Sequence, residues 1–415
     1  MADKRGYIKG STFTFKEIHR CIQRGDIVGW RGSPRRTKRG ELSIVPYEIH
    51  ILSMCFEQLP KSFFGVTDLD TRYRMRCLDL LVNEKSRQIF MQRSSIIQFI
   101  RTYLDTKGFI EVETPLLQNA VGGATAKPFV TYYNDLKRDM YLRVAPELYL
   151  KRLIAGGFDK VYEIGKQFRN ETIDPSHNPE FTSMEMYASH WNYESLMDLM
   201  EEFLPALVHK LYGKLVIEYN GKELDFTPPY PRIDILDKIK EMCPDFDPPL
   251  PFTSEESKTY LEHFVDEHEL TCPKPYTVPR MLNKIAERFV EDGLFNPTFR
   301  IHHPSIMSPL AKEHPTEKHK SQRFELFVGE MELCNAYSEL NDPILQREKF
   351  MLQQADKATG DDEAMGIVEE FLRAMEMGLP PTGGLGIGID RLVMLLTNQT
   401  SIKEVILFPH LKTIV

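Results

Sequence analysis

Residues 168–181 read F-R-N-E-T-I-D-P-S-H-N-P-E-F, and this stretch decides the fold. Residues 174–176, D-P-S, suit neither a helix nor a central strand, so they predict a loop between two antiparallel strands. Arg169, Glu171 and His177 would then face each other across that hairpin. Such a charge density predicts a nucleotide site. A solvated surface loop with mutually paired charges is the alternative interpretation.

A second informative segment, residues 383–391, reads G-G-L-G-I-G-I-D-R and leads into the apolar helical run 392–396. Glycines inside a strand let a ligand approach the backbone closely. These glycines do not lie on a strand-to-helix turn, and no P-loop lysine accompanies them, so a dinucleotide fingerprint and a P-loop are both excluded.

Together the two segments resemble motifs 2 and 3 of the class II aminoacyl-tRNA synthetases. Three further segments resemble the lysine-specific branch, the lysyl-tRNA synthetases: G-G-A-T-A-K-P-F at 122–129, A-P-E-L-Y-L-K at 145–151 and L-C-N-A-Y-S-E-L-N-D at 333–342. The likeness extends from about Gly25 to the C-terminus.

The resemblance implies an α+β fold, with an antiparallel sheet flanked by helices as the catalytic core and a partial OB-fold β-barrel in front of it. We expect a partial anticodon-binding domain at 1–66, a hinge at 67–86 and the catalytic domain at 87–415. Within the catalytic domain the expected landmarks are motif 1 at about 87–115, motif 2 at about 160–187, a helical insertion at about 253–295 and motif 3 at about 383–396.

A basic segment near the N-terminus, residues 31–40, reads R-G-S-P-R-R-T-K-R-G and separates two short strand-like runs. A solvated hairpin tip and a phosphate contact are equally consistent with these residues. The resemblance favours a tRNA contact within the OB-fold. It also implies that the sequence begins after the first strands of that fold, so we expect an N-terminally truncated OB domain with weakened anticodon readout.

The nucleotide site follows residue by residue from the resemblance. Arg169 would bridge the substrate carboxylate and the α-phosphate, Glu171 would accept from the adenine amino group, and Phe181 and Arg391 would sandwich the ring. Arg169, Glu171 and Arg391 are the expected catalytic residues. The other expected ATP contacts are Ser176, His177, Glu325, Leu326, Glu332, Gly388, Ile389 and Asp390.

Glu325 and Glu332 stand on two adjacent predicted strands, and hard Mg²⁺ prefers carboxylate oxygens together with substrate phosphates. We therefore expect these two glutamates to hold Mg²⁺ with ATP. Structural ion pairs are the alternative interpretation of both residues.

The amino-acid site is acidic, which suits a substrate that ends in an ammonium group. The resemblance assigns Glu147, Glu339 and Tyr187 to the lysine ε-ammonium. The remaining expected lysine contacts are Glu185 and Gly123 for the α-ammonium, Asn335 and Arg169 for the carboxylate, and Tyr337 for the aliphatic stem.

Composition agrees with a globular protein: 42% of the residues are hydrophobic, 27% are charged, and the formal net charge is -8. The six cysteines form no C-x-x-C pair, which argues against a zinc site or a disulfide framework and predicts a reducing compartment. No apolar run predicts a membrane span. We expect a cytoplasmic protein.

The expected function is ATP-dependent activation of L-lysine and transfer of the lysyl group to tRNA(Lys), by a homodimer formed through motif 1. An aspartyl or asparaginyl enzyme has a similar core, but Glu147 and Glu339 would repel an acidic substrate. A paralogue that ligates lysine to a protein is a second alternative. A scaffold protein without catalysis would have lost Arg169, Glu171, Glu325, Glu332 or Arg391, and the sequence contains all of them.

Overall fold

The computed structural model describes residues 14–57, 59–60, 65–291, 293–358, 360 and 365–412. By internal contacts the chain divides into two compact units, Met1–Arg87 and Gln88–Val415. The division between Arg87 and Gln88 concerns contacts only, so the domain boundaries expected from the sequence stay a prediction.

The N-terminal unit pairs two long strands and adds short helices. Helix α1 spans Phe15–Cys21 and starts with a capping box in which Thr14 and Glu17 satisfy each other's backbone amides. Strands β1 (Ile27–Arg36) and β2 (Leu42–Ser53) form an antiparallel two-stranded sheet. Helices α2 (Leu69–Arg74) and α3 (Arg76–Val82) follow.

The basic turn is shorter than the sequence predicted. Pairing continues to the Arg36–Leu42 pair, past an irregularity between Arg31 and Gly32, so most of the expected turn is strand. Gly40 closes the actual turn with a φ of 86°, a conformation that glycine adopts without strain.

The catalytic unit contains the remaining helices and strands. Its first half comprises α4 (Glu84–Thr106, which begins before the division), β3 (Ile110–Glu111), β4 (Leu117–Gln118), β5 (Val130–Tyr133), β6 (Arg138–Leu142), α5 (Glu147–Ala155), β7 (Lys160–Phe168), β8 (Glu180–Ser189), α6 (Tyr193–Tyr212), β9 (Val216–Tyr219) and β10 (Lys222–Asp225). Its second half comprises β11 (Arg232–Asp234), α7 (Ile235–Met242), α8 (Glu255–Glu267), α9 (Val278–Ala286), β12 (Thr298–Ile301), β13 (Arg323–Val328), β14 (Met331–Ser338), α10 (Pro343–Ala358), α11 (Glu369–Glu376), β15 (Thr382–Gly388), α12 (Ile389–Leu396) and α13 (Ile402–Val405).

An eight-stranded sheet in the order β11-β12-β13-β14-β15-β8-β7-β3 forms the centre of this unit. Its inner pairs are antiparallel, as the sequence predicted, whereas β11 with β12 and β3 with β7 are parallel. The sheet is therefore mixed at its two edges. The glycine-rich strand β15 lies between β14 and β8, which brings motif 3 beside motif 2.

The main hydrophobic core covers the sheet face that meets α6 and α12. Leu204 and Leu207 of α6 and Leu392 and Leu395 of α12 are fully buried in it. This burial places the apolar run after the glycines against the sheet and leaves the other sheet face for a cleft. The fold is thus α+β, as the sequence predicted.

The expected insertion at 253–295 is helical, as predicted. It contains α8, α9 and a π-helical turn at Glu287–Glu291, which pack with α7 around a second hydrophobic cluster. Strand β3 is short and pairs with β7 at Ile110 and Glu111. Helices α10 and α11 follow Pro343 in turn, and α10 ends at Ala358.

None of the helices within the described residues combines the length and the apolar character needed to cross a bilayer.

Candidate active site

One cleft of about 660 Å³ opens on the exposed side of the central sheet. Strands β7, β8, β13, β14 and β15 supply its floor, and helix α9 of the insertion contributes to its rim. Most of the predicted site residues line it: Gly123, Glu147, Arg169, Glu171, Ser176, His177, Phe181, Glu185, Tyr187, Glu325, Glu332, Asn335, Tyr337, Gly388, Asp390 and Arg391.

Arg169 begins the motif 2 loop at the end of β7. Its backbone amide donates to Pro179 O over 2.9 Å, and its guanidinium lies 5.1 Å from the ring of Phe181 on the opposite strand. The Nε atom is buried and has no hydrogen-bond partner among the described residues. A buried guanidinium N–H without a partner is costly, so it suits an anionic ligand in the cleft.

The motif 2 loop is held by Asp174, which accepts hydrogen bonds from the backbone amides of Ser176 (2.7 Å) and His177 (2.8 Å). Burial alone would raise the pKa of Asp174, but these hydrogen bonds and the nearby His177 ring hold it below its usual value. A carboxylate at this position fixes the imidazole as well, since His177 Nδ1 lies 2.8 Å from Asp174 Oδ2.

Motif 3 reaches this loop through Arg391. Its Nη2 donates to His177 Nε2 over 2.9 Å, and its Nη1 donates to Glu332 O over 2.7 Å. A guanidinium has no acceptor, so the His177 ring must carry its proton on Nδ1, toward Asp174. The predicted pair Phe181 and Arg391 therefore lies in one cleft, and the contacts with His177 and Glu332 hold the Arg391 guanidinium in place.

The two expected metal ligands have different surroundings. Glu325 is buried: its Oε1 accepts from Arg323 Nη2 over 2.6 Å, while its Oε2 contacts Arg300 and lies 3.3 Å from His303 Nε2. Burial raises the pKa of Glu325, but Arg300 and His303 hold it well below its usual range, and burial lowers the pKa of His303 to about 4. Glu332 is more open, with 40% of its side chain exposed and Arg391 at 3.6 Å.

These donors test the expected Mg²⁺ site. No group of three or more metal-binding side chains lies together within the described ranges, and Glu325 already serves two arginines. Mg²⁺ is commonly held by one or two carboxylates plus substrate phosphates. Glu332 with Glu325 therefore fits an ion that arrives with ATP, not one held by the protein alone.

The acidic end of the cleft contains Glu147 and Glu185. Tyr187 donates to Glu185 Oε2 over 3.1 Å, and Tyr337 donates to Glu147 Oε1 over 2.6 Å. Burial, with the neighbouring negative charge of Glu147, raises the pKa of Glu185 to about 8, against the hydrogen bond from Tyr187. Such carboxylates gain most from a cationic ligand.

Comparison with known proteins agrees with this geometry. The family model described as tRNA synthetases class II (D, K and N) matches residues 68–412. Lysine–tRNA ligase cla4 of Cladosporium cladosporioides is 47% identical over 97% of this chain and 70% of its own length. The chain belongs to the lysine–tRNA ligase family.

Other members of the lysine–tRNA ligase family are similarly close. The probable cytoplasmic lysine–tRNA ligase of Encephalitozoon cuniculi is 46% identical over 96% of this chain and 80% of its own length. The lysine–tRNA ligase of Aquifex aeolicus is 46% identical over 94% of this chain and 65% of its own length.

Three predicted site residues of this lysine–tRNA ligase family member do not line the cleft: Leu326, Ile389 and Glu339. Leu326 and Ile389 are fully buried in the main core, so their side chains pack inside the protein. Glu339 lies behind Gly384, next to the ring of Tyr187. Asp390 lines the cleft, yet both of its oxygens are bonded to protein, to Arg93 and to the backbone of Thr182. The roles predicted for these residues stay predictions.

Two residues without a predicted role emerge from the structure. Arg323 donates from Nε to Asn335 Oδ1 over 3.0 Å and from Nη2 to Glu325, so it joins the two ends of the cleft. Lys151 is buried between Glu147 and Glu339. Sequence spacing was the available signal for both residues. Arg323 stands two residues before Glu325, on the same face of a strand. Lys151 stands four residues after Glu147, on the same face of a helix.

Proposed function

We propose that this chain activates L-lysine with ATP and transfers the lysyl group to tRNA(Lys). The observation that carries the proposal is one continuous cleft with carboxylates at one end, Glu147 and Glu185, and guanidinium groups at the other, Arg169 and Arg391. A lysine molecule and the polyphosphate of ATP present the opposite charges in that order.

In the first step a carboxylate oxygen of lysine attacks the α-phosphorus of ATP, and the bond from that phosphorus to the pyrophosphate oxygen breaks. Pyrophosphate leaves with the electron pair, and lysyl-adenylate remains. Arg169 is proposed to contact the reacting carboxylate and the α-phosphate, because its buried Nε lacks a protein partner and its position beside Phe181 is fixed. Positioning and charge stabilisation then supply most of the catalysis.

In the second step a hydroxyl of the terminal ribose of the tRNA attacks the carbonyl carbon of lysyl-adenylate. The ester forms, the mixed anhydride bond breaks, and AMP leaves. The chain contributes to this step by keeping the adenylate in place through Glu171 and Arg391 at the adenine and Glu185 at the α-ammonium, all of which line the cleft.

Glu332 and Glu325 are proposed to hold Mg²⁺ that enters with ATP. The ion would neutralise charge on the phosphates during the first step. Arg323 and Arg300 keep Glu325 ionised and oriented, so the protein's own contribution is an acidic contact that is already fixed before the nucleotide binds.

Selection of lysine over aspartate is proposed to come from the buried acids. An aspartate side chain at this end would add a negative charge beside Glu147, whose cation partner Lys151 is already shared with Glu339. Burying like charges together costs several kcal/mol, which is enough to exclude an acidic amino acid.

Amino-acid-dependent pyrophosphate exchange tests this function. The purified chain is incubated with ATP, labelled pyrophosphate and each standard amino acid in turn. We expect exchange with lysine alone, and no lysine-dependent exchange would overturn the proposal, as would faster exchange with aspartate or asparagine. Charging of tRNA(Lys), measured beside transfer to protein lysine residues, separates the synthetase from a protein-ligating paralogue.

A homodimer through motif 1 is part of the proposal. Strand β3 and the segment that follows motif 1 expose large apolar side chains: Ile110, Leu116, Leu117, Val130 and Tyr132. Exposed apolar surface marks protein interfaces where it is contiguous. Light scattering should give twice the mass of the chain, and a Leu117→Asp variant should shift the mass toward the monomer.

We also propose a cytoplasmic location and a tRNA contact along β1 and its turn in the N-terminal unit. All six cysteines are free thiols, which suits a reducing compartment. The exposed arginines of β1, Arg31, Arg35 and Arg36, form a basic surface that suits a phosphate backbone. Their replacement by glutamine should weaken tRNA binding and lower its salt dependence, while lysine-dependent exchange stays unchanged.

A further inference from the structure

The lysine side chain at position 151 is the most deeply buried cation next to the acidic end of the cleft. It lies on α5, four residues after Glu147, and its Nζ is 2.6 Å from Glu147 Oε1. The same Nζ contacts Glu339 Oε2. Lys151 has no exposed surface and does not line the cleft, whereas Glu147 does.

The groups around Lys151 come from three separate parts of the chain. The rings of Tyr337 on β14 and Phe371 on α11 each lie 5.6 Å from Nζ, at a distance that allows cation–π attraction. Glu147 comes from α5 itself, and Glu339 follows β14. Because every neighbour favours the ammonium form, the site is built for a permanent charge.

Lys151 and Glu339 affect each other's pKa. Burial alone would lower the pKa of Lys151, but Glu147 and Glu339 raise it above its usual value. Burial raises the pKa of Glu339 well above its usual value; Lys151 opposes that rise, while the negative charges of Glu147 and Glu185 add to it. Lys151 is therefore the neighbour that favours an ionised Glu339.

The position of Lys151 between the two glutamates has a direct consequence for substrate choice. Its Nζ contacts a carboxyl oxygen of each, so the two side chains are held at fixed places beside the end of the cleft that would receive an ε-ammonium. Without Lys151 this shared contact is lost, and the two side chains can turn away from each other.

We infer that Lys151 is a positioning residue that determines lysine specificity, because its Nζ lies between the carboxyl groups of Glu147 and Glu339 and fixes where they stand beside the amino-acid end of the cleft. This inference rests on the proposed lysine-activating function. Lys151 acts through the two glutamates and does not meet the substrate itself.

The central test is the lysine KM of a Lys151→Met variant in pyrophosphate exchange. The lysine KM should rise at least about tenfold at neutral pH, and the ATP KM should stay within about twofold, because the lost charge faces only the amino-acid end. The variant's lysine KM should also become more dependent on pH than that of the wild type, since Glu339 loses the ammonium that opposes the rise of its pKa.

A double variant, Lys151→Met with Glu339→Gln, removes the buried acid that has lost its lysine partner. We expect it to fold at least as well as the single variant and to recover part of the lysine KM. A further readout is competition by norleucine, the analogue of lysine that lacks the ε-ammonium. Its inhibition relative to lysine affinity should strengthen in Lys151→Met, because the two glutamates are no longer held in place to bind a cation.

Lys320→Met is the matched control. Lys320 is also a buried lysine between acids, 3.0 Å from Asp234 Oδ2 and 3.0 Å from Glu317 Oε2, but it does not line the cleft. It should lower stability without changing the lysine KM. Equal rises of the lysine and ATP KM in Lys151→Met, an unchanged lysine KM, or no recovery in the double variant would each overturn the inference. If the wild-type chain shows no lysine-dependent exchange, the proposed function fails instead.

Discussion

Asp390 of motif 3 and Arg93 of motif 1 form a 2.6 Å ion pair across 297 residues of sequence. The second oxygen of Asp390 accepts from the backbone amide of Thr182 in motif 2 over 2.8 Å. One buried carboxylate thus joins all three motifs at the cleft. Its position explains how strands far apart in sequence keep a common geometry around the nucleotide.

Replacement of Asp390 by asparagine should destabilise the catalytic unit. Removing one member of a buried ion pair leaves the partner charge uncompensated, so we expect a loss of about 3 kcal/mol in the free energy of unfolding. The ATP KM should rise as well, because β8 and α12 lose their common contact. Thermal or denaturant unfolding and exchange kinetics measure the two effects.

Glu202→Gln serves as the control for that variant. Glu202 pairs with Lys107 at 2.6 Å, but 56% of its side chain is exposed. Exposed pairs contribute about 0–1 kcal/mol, so this variant should unfold close to the wild type. A similar loss in both variants would contradict a special role for Asp390.

The local parts of this site were predictable from the sequence. Loop-forming D-P-S between charged residues predicted the β7–β8 hairpin, and the glycine run predicted strand β15. Hydrophobic spacing likewise predicted α4 and the helical insertion, although their ends moved by a few residues. Short-range patterns determine these elements, so one sequence was sufficient.

Long-range contacts were not predictable in the same way. Nothing in the spacing of Arg391 and His177 indicates that they meet, since 214 residues lie between them. Lys151 on α5 meets Glu339, which follows β14, only through the tertiary packing of α5 on β7, β8 and α11. The parallel edges of the sheet also depend on crossovers that strand patterns do not encode.

Lysine binding should strengthen as pH rises toward 8. Burial raises the pKa of Glu185 to about 8 from a usual value of 4.5, so the free protein holds this carboxyl neutral below that pH. An α-ammonium is bound best by the ionised form, and the lysine KM should therefore fall between about pH 6 and pH 8. The same shift makes the Glu185 contribution to stability decline as pH rises through this window.

Glu185→Gln should give a high lysine KM that is flat over the same pH range. Glu180→Gln is the control, because Glu180 stands on the same strand with 39% of its side chain exposed and pairs with Lys166 at 3.3 Å. It should keep the wild-type slope. An unchanged slope in Glu185→Gln would exclude Glu185 as the titrating group.

Arg169→Lys should retain charge and lose catalysis. A lysine cannot make the planar, two-pronged contact of a guanidinium, so we expect kcat of exchange to fall by about 10²-fold with smaller changes in KM. Arg152→Lys, an exposed arginine 3.3 Å from Glu370, should behave as the wild type. A kcat within a few-fold of the wild type in Arg169→Lys would contradict a role at the α-phosphate.

Gly384 is the glycine of motif 3 that the amino-acid end depends on most. It pairs with Tyr187 on β8 and with Tyr337 on β14, and a Cβ at this position would collide with Glu339 Oε1 and lie 2.9 Å from Tyr187 Cδ1. Overpacking of a tight site costs about 1–3 kcal/mol, and here it would displace side chains that form the lysine pocket. Gly384→Ala should therefore raise the lysine KM more than the ATP KM.

Gly366→Ala provides the comparison, since no atom lies within 4 Å of a Cβ built there. That variant should match the wild type in both KM values and in melting temperature. If Gly384→Ala changed only stability, with both KM values preserved, the close approach of β15 would be a packing requirement and not a determinant of the amino-acid site. A selective rise of the lysine KM would instead link the glycine directly to the charge cluster of Lys151, Glu147 and Glu339, because the added methyl group presses on Glu339 first.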